Sequence, residues 1–140
     1  MKVVIDTNVF ISGVFFKGPP NQIIQAWSEG KIQVVISLDI FKEYSRVGEE
    51  LSQQFPGIDL DPILNLLYQK SDLVSVTEFS EAVCDDPDDD KFIACALSSK
   101  TKLIISGDKH LLKVSGYHGI QVLSPRKFVD EYLKDSEQKT

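Results

Sequence analysis

A chain of 140 residues has the length of one ordinary domain and can bury a real core without disulfides or structural metal. With 42% hydrophobic and 26% charged residues it has the composition of a soluble globular protein, and no apolar run approaches the roughly 18 residues that a membrane span needs. The net charge of -6 argues against a broad basic surface that would capture nucleic acid non-specifically, so any nucleic-acid role has to be local.

In chain order, the first expected strand is Val3 to Ile5, an apolar run that stops at Asp6 and is followed by the small hydrogen-bonding residues Thr7 and Asn8. Lys2 leads too few apolar residues for a signal peptide, which makes a cytoplasmic location the default. Pro20 after Pro19 opens a helical segment carrying Ile23, Ile24 and Trp27, and Gly30 punctuates its exit. A second strand runs from Ile32 to Ile36. Ser37 then caps a helix that reaches Gln54, with Ile40, Phe41, Tyr44, Val47 and Leu51 at helical spacing. Asp61-Pro62 starts another helix, to Lys70, with no strand between the two. Together they form a helical hairpin projecting from the sheet, suited to a lid or a dimer surface.

A third strand is expected over Leu73 to Val76, followed by an acidic run and a helix with Phe92, Ile93, Ala96 and Leu97 on its apolar face. Leu103 to Ile105 forms the fourth strand and ends in Ser106-Gly107-Asp108. Ile120 to Leu123 is the fifth, and Ser124-Pro125 opens the last helix. One domain over residues 1–134 accounts for all of these elements, and the tail from Asp135 to Thr140 is expected to fray. Cys84 and Cys95 make neither a CxxC pair nor a disulfide framework; Cys95 fits a helix core. The strands are continuously apolar rather than alternating, which implies burial on both faces and hence a mainly parallel sheet of about five strands flanked by helices. The fold class is α/β.

Four acids, Asp6, Glu43, Asp90 and Asp108, each fall where a strand ends or a neighbouring helix begins. Open parallel sheets bind ligands at the carboxyl ends of their strands, near the point where strand order reverses, so the four can converge there. Crowded carboxylates raise one another's pKa unless a cation neutralises them, and an all-oxygen set without His or Cys favours Mg²⁺ or Mn²⁺ over Zn²⁺. Asp85, Asp86, Asp88, Asp89 and Asp90 crowd six positions, a density whose self-repulsion calls for solvent or a cation. Of that run, Asp90 is the expected ligand, because it directly precedes the apolar helical repeat, with Asp89 as the alternative one residue earlier. Lys91, Lys109, Lys42 and Arg46 lie beside the acids in sequence and are the candidates for gripping phosphate.

Ile5-Asp6-Thr7-Asn8-Val9, Glu43 in Phe41-Lys42-Glu43-Tyr44, the block from Asp85 to Ile93, and Ser106-Gly107-Asp108-Lys109-His110-Leu111-Leu112 together resemble the PIN-domain nucleases, and within them the toxin components of toxin-antitoxin systems. The resemblance covers most of the chain. It implies a three-layer fold, a Mg²⁺- or Mn²⁺-dependent endoribonuclease activity on RNA, a homodimer, and an antitoxin protein as partner. Carried over by position, Asp6, Glu43, Asp90 and Asp108 match the acidic quartet as catalytic and metal-binding residues. Asn8 and Ser106 match small polar positions that support the acids, with Asp89 beside them. His110 departs from the pattern, since relatives often carry another acid there.

Each acid has a plainer reading. Asp6 can cap Asn8 or Val9, Asp108 can cap the short helix through Leu112, and Glu43 can pair on a helix surface with Arg46 or a nearby lysine. Rival functions fit less well. A receiver-type phosphoacceptor domain needs adjacent acids after the first strand, where Thr7 and Asn8 stand, and an aspartate at the end of the middle strand, which reads Thr77-Glu78. An aspartate-nucleophile phosphatase needs an acid at position 8. A non-catalytic or RNA-processing relative with a vestigial site sits poorly with a complete quartet.

Overall fold

The computed structural model describes residues 1–76, 83–84 and 86–133. Asp85, the Thr77-Glu78 end of the expected third strand and the tail from Asp135 to Thr140 lie outside them. The elements run β1 (Lys2–Ile5), α1 (Thr7–Phe15), α2 (Pro19–Ser28), β2 (Gln33–Ile36), α3 (Leu38–Gln54), α4 (Asp61–Lys70), β3 (Asp72–Leu73), a 3₁₀ turn (Pro87–Asp89), α5 (Asp90–Ser99), β4 (Leu103–Ile105), α6 (Lys109–Lys113), β5 (Gln121–Leu123) and α7 (Pro125–Phe128). Among the described residues, no helix is long and apolar enough to cross a membrane.

β1, β2 and β5 each begin with an exposed polar residue, Lys2, Gln33 and Gln121, and continue in buried aliphatic residues. Successive side chains of a strand point to opposite faces, so the complete burial of Val3, Val4 and Ile5 requires cover on both sides of the sheet. The five strands are parallel and ordered β3-β2-β1-β4-β5. The order reverses between β1 and β4, where Val4 pairs with Ile104 and Ile5 with Ile105. The α/β class, the parallel sheet and the flanking helices are those expected from the sequence.

Three elements differ from expectation. α1 was not foreseen, because Val9, Phe10 and Ile11 are buried in succession and its unburied polar positions, Asn8 and Ser12, are too few to mark a helical period. Its start is set by Asp6, whose Oδ1 accepts the Val9 N–H at 2.8 Å. α3 is packed rather than projecting: Ile40, Tyr44 and Gly48 are buried, and the helix lies against α1 and α5. β3 is shorter than expected, Asp72–Leu73, and forms an edge on which Leu73 is largely exposed. α1 and α2 meet closely at Gly13, where a Cβ would stand 2.5 Å from Ile24 Cγ1 and 2.6 Å from the Pro20 carbonyl oxygen. Only glycine fits that crossing.

Candidate active site

The pairing of Ile5 with Ile105 places the next residues of the two central strands, Asp6 and Ser106, side by side at the carboxyl end of the sheet. The Asp6 N–H donates to the Ile105 carbonyl at 3.0 Å, and the Ser106 N–H to the Leu123 carbonyl at 2.9 Å. Both side chains are buried. The Ser106 hydroxyl donates to Asp6 Oδ2 and accepts the Asp108 N–H at 2.9 Å, so one hydroxyl links two of the acids. Asp108 caps α6 as well, its Oδ1 accepting the His110 N–H at 2.7 Å. The plain capping readings of Asp6 and Asp108 are therefore correct and coexist with their convergence.

Burial pushes the Asp6 carboxyl up to about 6; the hydrogen bonds from Ser106 and Val9 oppose this, and the negative charges of Asp108 and Glu43 add to it. Asp89 is also pushed up to about 6, first by burial and then by Asp108, Asp86 and Asp6, with His110 opposing. Asp6, Asp89, Asp108 and Glu43 thus share one electrostatic neighbourhood. The 3₁₀ turn that presents Asp89 is held by Asp86, whose side chain accepts the Asp88 N–H at 3.0 Å.

Asp90 also has a structural contact. Its Oδ1 accepts the N–H groups of Cys84 at 2.8 Å and Val83 at 3.3 Å, so the carboxylate fastens the chain that leads into α5. Asp89, one residue earlier, ends the 3₁₀ turn that leads into α5, is buried, and lies in the field of Asp108, Asp86 and Asp6. Sequence position before the apolar repeat could not reveal that turn.

Glu43 stands on the second turn of α3, and its Oε2 receives the Lys91 Nζ from α5 at 2.5 Å. Lys91 is engaged by an acid rather than left open to phosphate. Arg46 pairs with Glu50 at 3.3 Å on the exposed face of α3. Lys42 and Lys109 are exposed. Asn8 is exposed and, with Asp6, Ser12, Pro20, Asp108 and Pro125, lines an open cleft of about 310 Å³.

Two contributors were missed by sequence reasoning. Tyr44, read only as part of an apolar face, is buried, stacks on Phe10 with ring centroids 4.2 Å apart, and donates its hydroxyl to the Ile5 carbonyl. That bond ties α3, one residue from Glu43, to the strand end that carries Asp6. Thr7 has a buried hydroxyl without a hydrogen-bond partner among the described residues. A buried strand end followed by a hydroxyl residue was the available signal for Thr7; Tyr44 had none.

Among the described residues no group of three or more His, Cys, Asp or Glu side chains forms a ready-made ion site. The chemistry of the acids nevertheless fits a hard divalent cation. The donors are carboxylate and hydroxyl oxygens, Asp89 Oδ2 is buried with no hydrogen-bond partner among the described residues, and an ammonium group already stands on Glu43. A buried carboxylate oxygen without a donor is costly unless a cation or water meets it.

Residues 2–110 match the PIN domain family, a span that contains Asp6, Glu43, Asp89 and Asp108. The chain is 36% identical over 150 residues to the uncharacterized protein MJ1680 of Methanocaldococcus jannaschii, covering 96% of this chain and 93% of that protein. It is also similar to the structure of the PIN domain endonuclease Utp24, at 18% identity, 88% coverage of this chain and 84% of that chain, with a TM-score of 0.46. The chain belongs to the PIN domain family of nucleases.

Proposed function

We propose that the protein is a divalent-metal-dependent endoribonuclease that hydrolyses RNA phosphodiester bonds at the carboxyl end of β1 and β4. The observation that carries this reading is the pair of buried carboxyls, Asp6 and Asp89, each pushed up to about 6 and each in the field of Asp108. Crowding of this kind is unfavourable in a purely structural cluster and useful in a cation site. Asp6, Asp89 and Asp108 would hold Mg²⁺ or Mn²⁺, with Glu43 at the rim. Such an ion would supply positive charge and lower the pKa of a bound water.

The remaining work falls to side chains. Ser106 fixes Asp6 and Asp108 relative to one another through its two hydrogen bonds. Glu43 would ligate the ion or orient the attacking water, and Asn8 and Ser12 present polar groups along the cleft in which the strand lies. Choice of RNA rests on the sequence resemblance. The test is cleavage of a single-stranded RNA and a DNA of the same sequence with Mn²⁺, Mg²⁺ or EDTA. Metal-dependent RNA cleavage abolished by Asp6→Asn is the expected result; activity in that variant, or in EDTA, would overturn the reading.

The same resemblance supports a homodimeric toxin restrained by an antitoxin protein. Growth arrest on expression, relieved by the Asp6→Asn change and by a co-expressed antitoxin, is the corresponding check. Light scattering of the purified chain checks the dimer.

A further inference from the structure

Lys91 extends from α5 to Glu43 on α3, and its Nζ lies 2.5 Å from Glu43 Oε2. This pair is unlike the surface pairs. Lys31–Glu29 and Arg46–Glu50 are more than half exposed, whereas the side chains of Lys91 and Glu43 are 24% and 20% exposed. A long lysine confined at a partly desolvated carboxylate loses rotamer freedom and hydration, which a strong local negative potential can offset. That potential is present. Glu43 and Asp108 both act on Asp6, and Asp108 acts on Asp89.

We infer that Lys91 is an internal counter-cation, an ammonium that stands at the Glu43 edge of the acidic site when no divalent ion is bound and competes with the ion for that carboxylate. The inference rests on the cation-site reading above. In the ion-free chain, Lys91 offsets the repulsion between Glu43 and Asp6. When the ion enters, a like charge faces it and Glu43 has to exchange partners, so the lysine lowers metal affinity while protecting the empty site. An ordinary structural ion pair would have the opposite consequence, because removing Lys91 would then loosen Glu43 as a ligand and weaken metal binding.

The sign of the change therefore decides. Mn²⁺ titration by calorimetry at pH 7.5 is expected to show Lys91→Met binding about tenfold more tightly than the wild type, the scale of one like charge removed from a partly desolvated site. Thermal melting adds a second readout: in EDTA the variant melts lower than the wild type, and saturating Mn²⁺ raises its melting temperature by more. Lys91→Arg keeps the charge and stays near the wild type. In a Glu43→Gln background, where the ammonium has lost its partner, adding Lys91→Met changes Mn²⁺ affinity much less. Unchanged or weaker Mn²⁺ binding by Lys91→Met overturns the inference while leaving the cation site in place. No Mn²⁺ binding by the wild type overturns the cation-site reading and the inference with it.

Discussion

Ser106 and Asp6 meet because Ile5 and Ile105 are in register on adjacent parallel strands, so the residues that follow them emerge side by side where the strand order reverses. The hydroxyl donates to Asp6 and accepts the backbone N–H of Asp108, which makes a residue with no charge the organiser of two acids. Replacing it with alanine leaves a buried carboxylate short of a donor and a backbone amide short of an acceptor. Ser106→Ala should lose about 1–3 kcal/mol of stability in urea unfolding, the usual penalty for orphaning buried polar groups. It should also lower nuclease kcat by about tenfold or more, because both carboxylates lose their alignment. Ser106→Thr, which retains the hydroxyl, should recover most of the kcat if the added methyl is accommodated.

Asp89 and Asp90 are adjacent, yet they should fail in different assays. Asp89→Asn removes a charge from the acidic neighbourhood, so the ion-free protein should melt at least as high as the wild type while cleavage and Mn²⁺ binding collapse. Asp90→Ala removes the acceptor for the Cys84 and Val83 N–H groups. It should cost about 1–2 kcal/mol and leave Mn²⁺ affinity within a fewfold of wild type. The reverse pattern would return the ligand role to Asp90.

That distinction marks the limit of what the sequence carries. The strands over Val3 to Ile5 and Leu103 to Ile105 are legible because continuous burial needs continuous aliphatic residues, and the acids at their ends are legible because nothing apolar follows. Asp6, Glu43 and Asp108 could be singled out from those boundaries. The roles of Asp89 and Asp90 could not be told apart, since they depend on a three-residue 3₁₀ turn in a run of acids that all look alike in sequence. Lys91 next to the acids was readable as a basic group, but its partner lies 48 residues away on another helix. α1 was hidden for a different reason: with Val9, Phe10 and Ile11 buried in succession, a nine-residue helix shows too few polar positions to display an amphipathic period.

Proton uptake at Asp6 and Asp89 gives the ion-free protein a pH dependence of definite sign. The ordinary carboxyl value is 3.8 and both groups are raised to about 6, so between these values the folded chain binds more protons than the unfolded one. Their contribution to stability is therefore fully present below 3.8, declines as pH rises, and is gone above about 6. In EDTA, the melting temperature should be higher at pH 5 than at pH 7.5 by a few degrees, and Asp6→Asn should flatten the difference. Saturating Mn²⁺ at pH 7.5 should restore the loss, because the ion replaces the protons. A melting temperature that climbs from pH 5 to 7.5 in EDTA would show that these carboxyls are not stabilised by protonation.

Gly13 tests the packing that holds α1, and with it Asp6, in place. Its missing Cβ leaves room for Ile24 Cγ1 and, more rigidly, for the Pro20 carbonyl, both of which would lie within 2.6 Å. Side chains can turn away, but the carbonyl is part of the α2 backbone. Gly13→Ala should therefore destabilise by about 1–3 kcal/mol despite the better helix propensity of alanine. Chemical denaturation measures this directly, and a stabilised variant would mean that α1 and α2 separate easily.

Tyr44 connects the helix that carries Glu43 with the strand that carries Asp6, through a single hydroxyl on the Ile5 carbonyl. Phenylalanine keeps the ring and its stack on Phe10 but leaves that carbonyl without the bond. Tyr44→Phe should cost about 1–2 kcal/mol in unfolding free energy. If the hydroxyl only stabilised the fold, activity well below the melting temperature would be unchanged. Because it fixes the distance between two acids on different elements, kcat should instead fall severalfold with KM for RNA nearly constant, the pattern of a lost transition-state alignment rather than lost binding. Steady-state kinetics at 25 °C separates the two outcomes, and an unaltered kcat would reduce Tyr44 to a core residue.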